Sequence, residues 1–397
     1  MGIVALEKMF NQLECFGQDE EDRRFGDMSD LALNYLKWVL EESFEWEARH
    51  KTGCDLYERK EGRSDYRNGY RARDILTRFG RLKDVRVPRL RGSGFVPSVL
   101  IPGRLALPEV EELITKCLLC GATRREVTEM VTLLLGYPPC GSIIARAQSE
   151  LDKRAREFMN AERTKTYKYL FLDAIRVTIK DGRLGKDWMI LVAVGIDEFG
   201  YKEVIGFARS RTESGAAWRR LLNQLLERGL DYQKLDLVVS DDSSAIAYAV
   251  DDVFGDVPVQ LCWMHRMARL KDIVHKADHE ECVDGLRKVY KAKNKAAALK
   301  AYVEWKRRWA SKYPGFAAEL EKDLGKLLKF FSCPSSHWEY LRTNNPIERL
   351  NGDIRGRIFG WAGFADRDSC YRLLYGLFWQ RNGDWRKRPK LQFTHSC

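Results

Sequence analysis

The stretch that decides the fold is Tyr167–Val177, YKYLFLDAIRV, an apolar run of strand character that ends on an acidic residue, Asp173. A buried strand reads as a near-continuous apolar run, and a purely structural strand would not choose a carboxylate at its end. Leu235–Ser244 (LDLVVSDDSS) repeats the pattern, with Asp241 closing its run. Arg342–Arg355 (RTNNPIERLNGDIR) reads instead as a helix. Asn345 suits the N-cap, Pro346 the first helical position, and Ile347, Leu350, Ile354 and Ile358 mark one apolar side. Glu348, Asn351 and Arg355 fall together on another side. Three carboxylates from two strands and a helix suit a pair of hard divalent cations, which take carboxylates, waters and phosphate oxygens rather than sulfur or imidazole. That is the equipment of a nuclease or a polynucleotidyl transferase.

Each acid also has a plain structural reading. Asp173 could be a solvated strand-end carboxylate, and Asp241 the cap of a helix starting near Ser243. Glu348 would stand at the third helical position after Asn345, where a Glu reaches back to close a capping box. Three such coincidences in one chain are much less persuasive than one.

Around Asp173 the pattern predicts strands over Tyr167–Lys180, Asp187–Asp197 and Lys202–Arg209, with turns at Asp181-Gly182 and Phe199-Gly200. A helix over Glu213–Arg228, a strand over Leu235–Ser240, a helix over Ser244–Val253 and a strand over Pro258–Cys262 follow. This is an α/β core in which the first and fourth strands can lie side by side and bring Asp173 next to Asp241. From Asp173 to Asp241 is 68 residues (241 − 173), the span of those elements, while Asp241 to Glu348 is 107 (348 − 241). One strand and one helix cannot use the second interval, so residues 266–340, rich in Lys, Ala and Trp, read as a helical insertion. Trp305, Trp309 and Trp338 are better suited to its core than to stacking on bases.

The ordered motifs LFLDAIRV, VVSDD, LCWMH and RTNNPIERLN, with Tyr66–Arg91 upstream, resemble the Mutator-like bacterial insertion-sequence transposases, a branch of the Asp-Asp-Glu transposases. The resemblance covers most of the chain. It implies a mixed-sheet core of the ribonuclease-H-like kind with an all-helical insertion, and it gives Asp173, Asp241 and Glu348 the catalytic and metal-binding roles. It also implies two Mg²⁺ ions, for which Mn²⁺ can substitute, action on terminal inverted repeats and target DNA, a homo-oligomer working on paired ends, and a bacterial, nucleoid-associated location. Adjacent strand residues point to opposite faces, so only one of Asp241 and Asp242 can serve. The family's single Asp before a glycine matches Asp241, which leaves Asp242 to cap the next helix or to act from behind the metal ligands. The family's similar C-x-x-H motif places Cys262 and His265 at the end of a buried strand beside the catalytic centre. A competing reading makes Cys262, His265, His275 and His279 a zinc site.

The composition agrees with a polyanionic partner. At 397 residues and a formal charge of +11, the chain is long enough for two or three cores and is markedly basic. No apolar run approaches a membrane span, and the apolar patch at residues 1–10 is followed by acid rather than by a cleavage site, so an intracellular chain is expected. Ten scattered cysteines then read as free thiols, and Cys117 and Cys120 have no second pair to complete a metal site.

Upstream of the core, Ser29–Lys51 has the spacing of an amphipathic helix. Residues 60–91 are basic and aromatic, with short strands expected over Ile75–Arg78 and Leu82–Val87 around Gly80 and closed by Pro88. Arginines of this hairpin, Arg67, Arg71 and Arg86 among them, suit phosphate contacts. Thr123–Glu126 is a capping box opening a helix with Val127, Met130, Val131 and Leu134 inside, and Ser142 starts another that exposes Arg146, Gln148, Lys153 and Arg154. A helix-turn-helix follows, its last helix the candidate for the major groove; a plain helical hairpin is the alternative.

The expected layout is thus a mainly helical DNA-binding region ahead of the α/β core. It comprises an N-terminal helical region (1–59), a basic hairpin (60–105), a helix-turn-helix (106–160), the core (161–265), the insertion (266–340), and the core's second part with a basic tail (341–397). The expected function is a DNA transposase. The rivals are a structure-specific nuclease with the same core and a catalytically inactive helix-turn-helix DNA-binding protein.

Overall fold

The computed structural model describes residues 24–58, 61–92, 94–100, 106–181, 184–358, 364 and 367–387. The apolar N-terminal patch, Gly182 of the first hairpin turn and the end of the basic tail lie outside them. The chain divides into two compact units, Met1–Leu118 with Ala122–Leu151, and Leu119–Gly121 with Asp152–Cys397.

The first unit holds helix α1 (Arg24–Thr52), strands β1 (Arg67–Thr77) and β2 (Gly80–Leu90), and helices α2 (Pro108–Leu119), α3 (Arg124–Leu135) and the start of α4 (Gly141–Asn160). Leu40 and Phe44 of α1 are buried against Ile75, Leu82, Val85 and Val87 of the hairpin. The strands are longer than the apolar spacing predicts. β2 runs through Pro88, paired with Tyr70, to Leu90; in a two-stranded ribbon a proline can face away from its partner, where no amide is needed. The capping box at Thr123 forms as expected, and Gly136 ends α3 in the left-handed conformation at φ 68° that its lack of a Cβ permits. Only part of α3 is core: Val127 and Val131 are buried, but Met130 is 37% and Leu134 64% exposed.

The second unit is built on a five-stranded mixed sheet in the order β5-β4-β3-β6-β7. Strands β3 (Tyr167–Asp181), β4 (Leu184–Asp197) and β5 (Lys202–Ser210) meander antiparallel. Helix α5 (Gly215–Glu227), β6 (Leu237–Ser240), α6 (Ser244–Phe254) and β7 (Val259–Leu261) follow. β6 pairs in parallel with β3 in the register Leu172↔Ser240, which sets residues 173 and 241 at the same end of neighbouring strands. Past the register shift after Tyr167, Tyr169, Phe171, Ile175 and Val177 of β3 enter one apolar layer, and Tyr167, Leu170 and Leu172 enter the other, against α5 and α6.

Between Leu261 and Asn345 the backbone forms only helices: α7 (Trp263–Ile273), α8 (Lys276–Tyr290), α9 (Lys295–Trp309), α10 (Pro314–Leu327), two short 3₁₀ turns and α11 (Trp338–Leu341). Trp305 and Trp309 are buried and Trp338 is half-buried against the same core, so these rings fill space rather than offer a stacking platform. The chain returns to the sheet through α12 (Asn345–Ile358) and α13 (Arg367–Trp385). Ile347, Leu350 and Ile354 anchor α12 in the core; each such buried side chain is worth about 1.5–3 kcal/mol.

Candidate active site

Asn344, fully buried just before α12, explains how distant segments meet. Its side-chain amide donates to the Leu172 carbonyl at 3.2 Å, one residue before Asp173, and its backbone amide bonds the Cys262 sulfur at 3.1 Å. The end of β3, the β7–α7 junction and the start of α12 are thereby tied together. Nearly two turns into α12, the Asn351 amide donates to Asp173 Oδ2 at 2.8 Å. Asn351 is 1% exposed and its carbonyl oxygen has no partner among the described residues.

Asp173 is 6% exposed. Burial first, then repulsion from Asp241 and further repulsion from Glu348 and Glu213, push its carboxyl up to about 7, against the opposing pull of the Ala174 amide. Asp241 is pushed up to about 6 by burial and by Glu213, and His265 draws it back. Its Oδ1 is buried without a hydrogen-bond partner. Buried carboxylates raised in this way by further acidic neighbours form a site short of positive charge.

The structural reading of Glu348 is not realised. Asn345 lies inside the helix, and the Glu348 amide bonds the Asn344 carbonyl at 3.0 Å, so Glu348 sits one position beyond the place a capping box requires. Its Oε1 lies 3.9 Å from Cys262 Sγ and 3.8 Å from His265 Nδ1. Cys262 ends no strand: it is the N-cap of α7, with His265 inside that helix. Burial pushes the Cys262 thiol up to about 12, which keeps it a neutral donor beside Glu348. Cys262, His265 and Glu348 bring their donor atoms within 4.8 Å of one another, and among the described residues no other His, Cys, Asp or Glu group of that kind forms. His275, which caps α8, and His279 within it stand outside this group, so the four-residue zinc site is not assembled.

Asp242 neither caps α6, where Ser243 is the N-cap, nor joins Asp241. It takes Arg266 at 2.8 Å and Arg269 at 2.6 Å. Arg266, 1% exposed, also reaches Asp323 at 2.5 Å, and Arg269 reaches Glu319 at 2.7 Å. This network ties the acid-bearing loop to α10 of the insertion. A buried guanidinium left without one of its partners typically costs about 3–5 kcal/mol, so the network sets where the loop stands.

Glu213 escaped the sequence reading, which placed it only as the start of a helix. It precedes the Ser214 cap of α5, and Trp218 Nε1 donates to its Oε1 at 3.4 Å. Gly215 lets α5 approach α6 closely: a Cβ there would meet Tyr248 at 2.9 Å. This brings Glu213 beside the loop of Asp241. The triplet Thr212-Glu213-Ser214 shortly after strand β5 was its one available signal.

Of the remaining predicted residues, Arg355 is exposed on α12, one turn beyond Asn351. Arg67 pairs with Glu45 at 2.7 Å and is mostly enclosed. Arg71 is exposed, and Arg86 is exposed and lies over the Tyr70 ring at 4.3 Å. Arg146 and Arg154 are exposed on α4, Lys153 lies 3.8 Å from Glu157, and Gln148 accepts from Arg124. The eight described cysteines are free, and no helix among the described residues is long and apolar enough to cross a membrane.

A family model described as "Transposase, Mutator family" matches residues 9–388. "Transposase for insertion sequence element ISRM5" from Rhizobium meliloti (strain 1021) is 27% identical over 350 residues, 88% of this chain and 87% of its own length. "Transposase for insertion sequence element IS406" from Burkholderia multivorans (strain ATCC 17616 / 249) is 30% identical over 360 residues, 90% and 92%. A solved chain, in "CryoEM structure of simian T-cell lymphotropic virus intasome in complex with PP2A regulatory subunit B56 gamma", aligns at 13% identity and a TM-score of 0.19 over 43% of this chain and 58% of that one, too distant a likeness to inform the fold.

Proposed function

The chain belongs to the Mutator family of transposases and is a DNA transposase, and from that premise we propose that Asp173, Asp241 and Glu348 are its catalytic carboxylates, on a core of ribonuclease-H-like design. The observation that carries this reading is the convergence at one sheet end: Asp173 and Asp241 on adjacent parallel strands, with Asn351, one turn after Glu348, bonded to Asp173. Strand order and the helical insertion support the core assignment.

The chemistry of the residues present suits a pair of divalent cations, each shared by fewer than all three acids, since Asp173, Asp241 and Glu348 do not together bring their oxygens within 4.8 Å of one another. The donors are carboxylate oxygens, Asp241 Oδ1 and Asn351 Oδ1 are buried without partners, and burial together with neighbouring carboxylates holds Asp173 and Asp241 above the carboxylate range. Asp173, Asp241 and Glu348 would hold two Mg²⁺, or Mn²⁺ in their place. When bound, the ions would polarise the scissile phosphodiester and lower the pKa of the attacking water or 3′-hydroxyl. Asn351 fixes the rotamer of Asp173, Cys262 and His265 flank Glu348, and Arg266 and Arg269 hold the loop of Asp241 through Asp242. Glu213 adds a fourth negative charge that strengthens the demand for cations. The paired reactions are hydrolysis at an element end and attack of the freed 3′-hydroxyl on target DNA. Both are in-line displacements that need no covalent enzyme intermediate.

The terminal inverted repeats would be bound by the first unit and α4, acting in a homo-oligomer on paired ends. A duplex bearing the element's ends, incubated with the chain and Mg²⁺, should yield both cleaved and joined strands. Cleavage alone would indicate a nuclease, and neither product a DNA-binding protein without a working centre. For recognition, Arg146 and Gln148 have the reach and donors for base edges, and Arg71 and Arg86 match phosphates. Arg146→Ala should lower affinity for the ends by about 1–3 kcal/mol more than for random duplex, whereas Arg86→Ala should weaken both alike and flatten the salt dependence. A binding titration on both duplexes at several salt concentrations checks this, and equal losses for Arg146→Ala would remove it from base reading.

A further inference from the structure

At 29 residues, α1 is about 43 Å long, and its two long sides are both apolar. Leu40 and Phe44 are buried against the hairpin, and Ala48 is buried on the same side. At about 100° per residue, Tyr35, Trp38, Glu42, Trp46 and Arg49 fall on the opposite side. Tyr35 is 43% and Trp46 63% exposed, Trp38 and Val39 are half-buried, and Glu42, Arg49 and His50 are exposed. The Tyr35 and Trp38 rings lie 5.8 Å apart and Trp46 stacks on His50 at 5.0 Å, so each ring is held by a neighbour on its own helix. Just past the last turn, Gly53 has open space where a Cβ would stand, and Leu56 is 38% exposed.

Charge decides what this stripe can meet. From Asp30 to Glu47 the helix carries the acids Asp30, Glu41, Glu42, Glu45 and Glu47 against the single base Lys37, in a chain of net charge +11. Such a surface repels the phosphates that the basic hairpin attracts, which leaves a protein as its partner. Exposed tryptophan and tyrosine are the residues that anchor protein interfaces. Within the stripe, Glu42 and Arg49 stand about two turns apart with Trp46 between them. Two copies of α1 packed antiparallel about a two-fold axis near Trp46 set each Glu42 against the partner's Arg49. The two Trp46 rings then lie side by side at the centre, and each Trp38 meets the open space at the partner's Gly53. A parallel pair would instead set Glu42 on Glu42 and Arg49 on Arg49, which repel. Arg49 lies 3.2 Å from Asp55 of its own chain, but both groups are exposed, and such a pair is weak enough to be exchanged.

We propose that the outer side of α1 is a self-association surface on which a second copy of this chain docks antiparallel, through Trp38, Trp46 and reciprocal Glu42–Arg49 pairs. An interface of this kind presents the same patch from both copies and closes on itself. The overlap from Trp38 to Gly53 is about 24 Å of helix, a small contact that dissociates on dilution. It supplies an interface for the homo-oligomer inferred above and rests on that part of the reading alone.

Sedimentation of the full-length chain over a range of concentrations, without DNA or metal, tests it. The wild type should associate reversibly. Glu42→Arg and Arg49→Glu should each raise the dissociation constant by about tenfold or more, since each turns two attractions into two repulsions. Mixed in equal amounts, the two variants should associate as the wild type does, because every facing pair is then again of opposite charge. Trp46→Glu, at an exposed position, should abolish the association and leave the melting temperature unchanged. Single variants that sediment as the wild type does, or a mixture that stays apart while both variants melt normally, would overturn the antiparallel contact and leave the homo-oligomer to another surface. A wild type that is monomeric at every concentration would overturn the contact and the homo-oligomer together. Neither result bears on Asp173, Asp241 and Glu348, whose alanine variants should sediment as the wild type does.

Discussion

Replacing any one of Asp173, Asp241 and Glu348 by alanine should lower the rate of DNA cleavage and joining by about 10³-fold or more, with binding to element ends nearly intact. That loss corresponds to roughly 4 kcal/mol of transition-state stabilisation at 1.36 kcal/mol per decade. Each carboxylate would share in holding the cations and orienting the attacking oxygen, so no two of them can make good the third. Asp242→Ala should do less harm to the rate and more to the fold. Its partner Arg266 is 1% exposed and keeps Asp323, but loses a bond at 2.8 Å. A rate assay and a melting curve on the four variants separate these outcomes. A greater catalytic loss for Asp242→Ala than for Asp241→Ala would move the second acid by one residue, and Glu348→Ala with wild-type rates would return Glu348 to a structural role.

Without divalent cations, the chain should be less stable at pH 8 than at pH 5, by something on the order of 3 kcal/mol. The sign follows from Asp173, whose carboxyl is carried from an ordinary 3.8 up to about 7 by burial and by Asp241. Between those values the folded chain keeps a proton that the unfolded chain has released. Stability therefore falls as pH rises from about 4 through about 7 and levels off above. Asp241, raised to about 6, acts in the same direction, but the two share one repulsion and their effects do not simply add. Denaturant unfolding in EDTA across this range, with Asp173→Asn as the comparison, isolates the effect: the slope should shrink in the variant. Mg²⁺ at about a hundred times its dissociation constant should restore roughly 2.7 kcal/mol at pH 8. A wild-type slope of the opposite sign, or one unchanged in Asp173→Asn, would mean that burial and the neighbouring acids do not raise the Asp173 carboxyl.

The core was legible because its strands carry their own pattern. LFLD and VVSD are apolar runs with one discordant residue each, and that discordance is what a functional strand end leaves in a sequence. The pairing of β3 with β6 could be anticipated from element order. The longer hairpin could not, since residues 67–74 alternate too weakly for spacing to reveal a strand that pairing alone supports. Asn344 was invisible for a related reason: an asparagine before a helix looks like any cap, and its bonds to Leu172 and Cys262 exist only once segments more than eighty residues apart have met. The same holds for Asp242 and Arg266 and for Glu213. Met130 and Leu134 show the opposite failure, a helical spacing that promises burial the fold does not provide.

The most direct test of the cation-binding carboxylate centre is a Mn²⁺ titration of the full-length chain followed by electron paramagnetic resonance. The wild type should bind Mn²⁺ that Mg²⁺ displaces, and Asp173→Asn, Asp241→Asn and Glu348→Gln should each weaken that binding by at least tenfold while melting normally. Unchanged Mn²⁺ affinity in all three variants would contradict it.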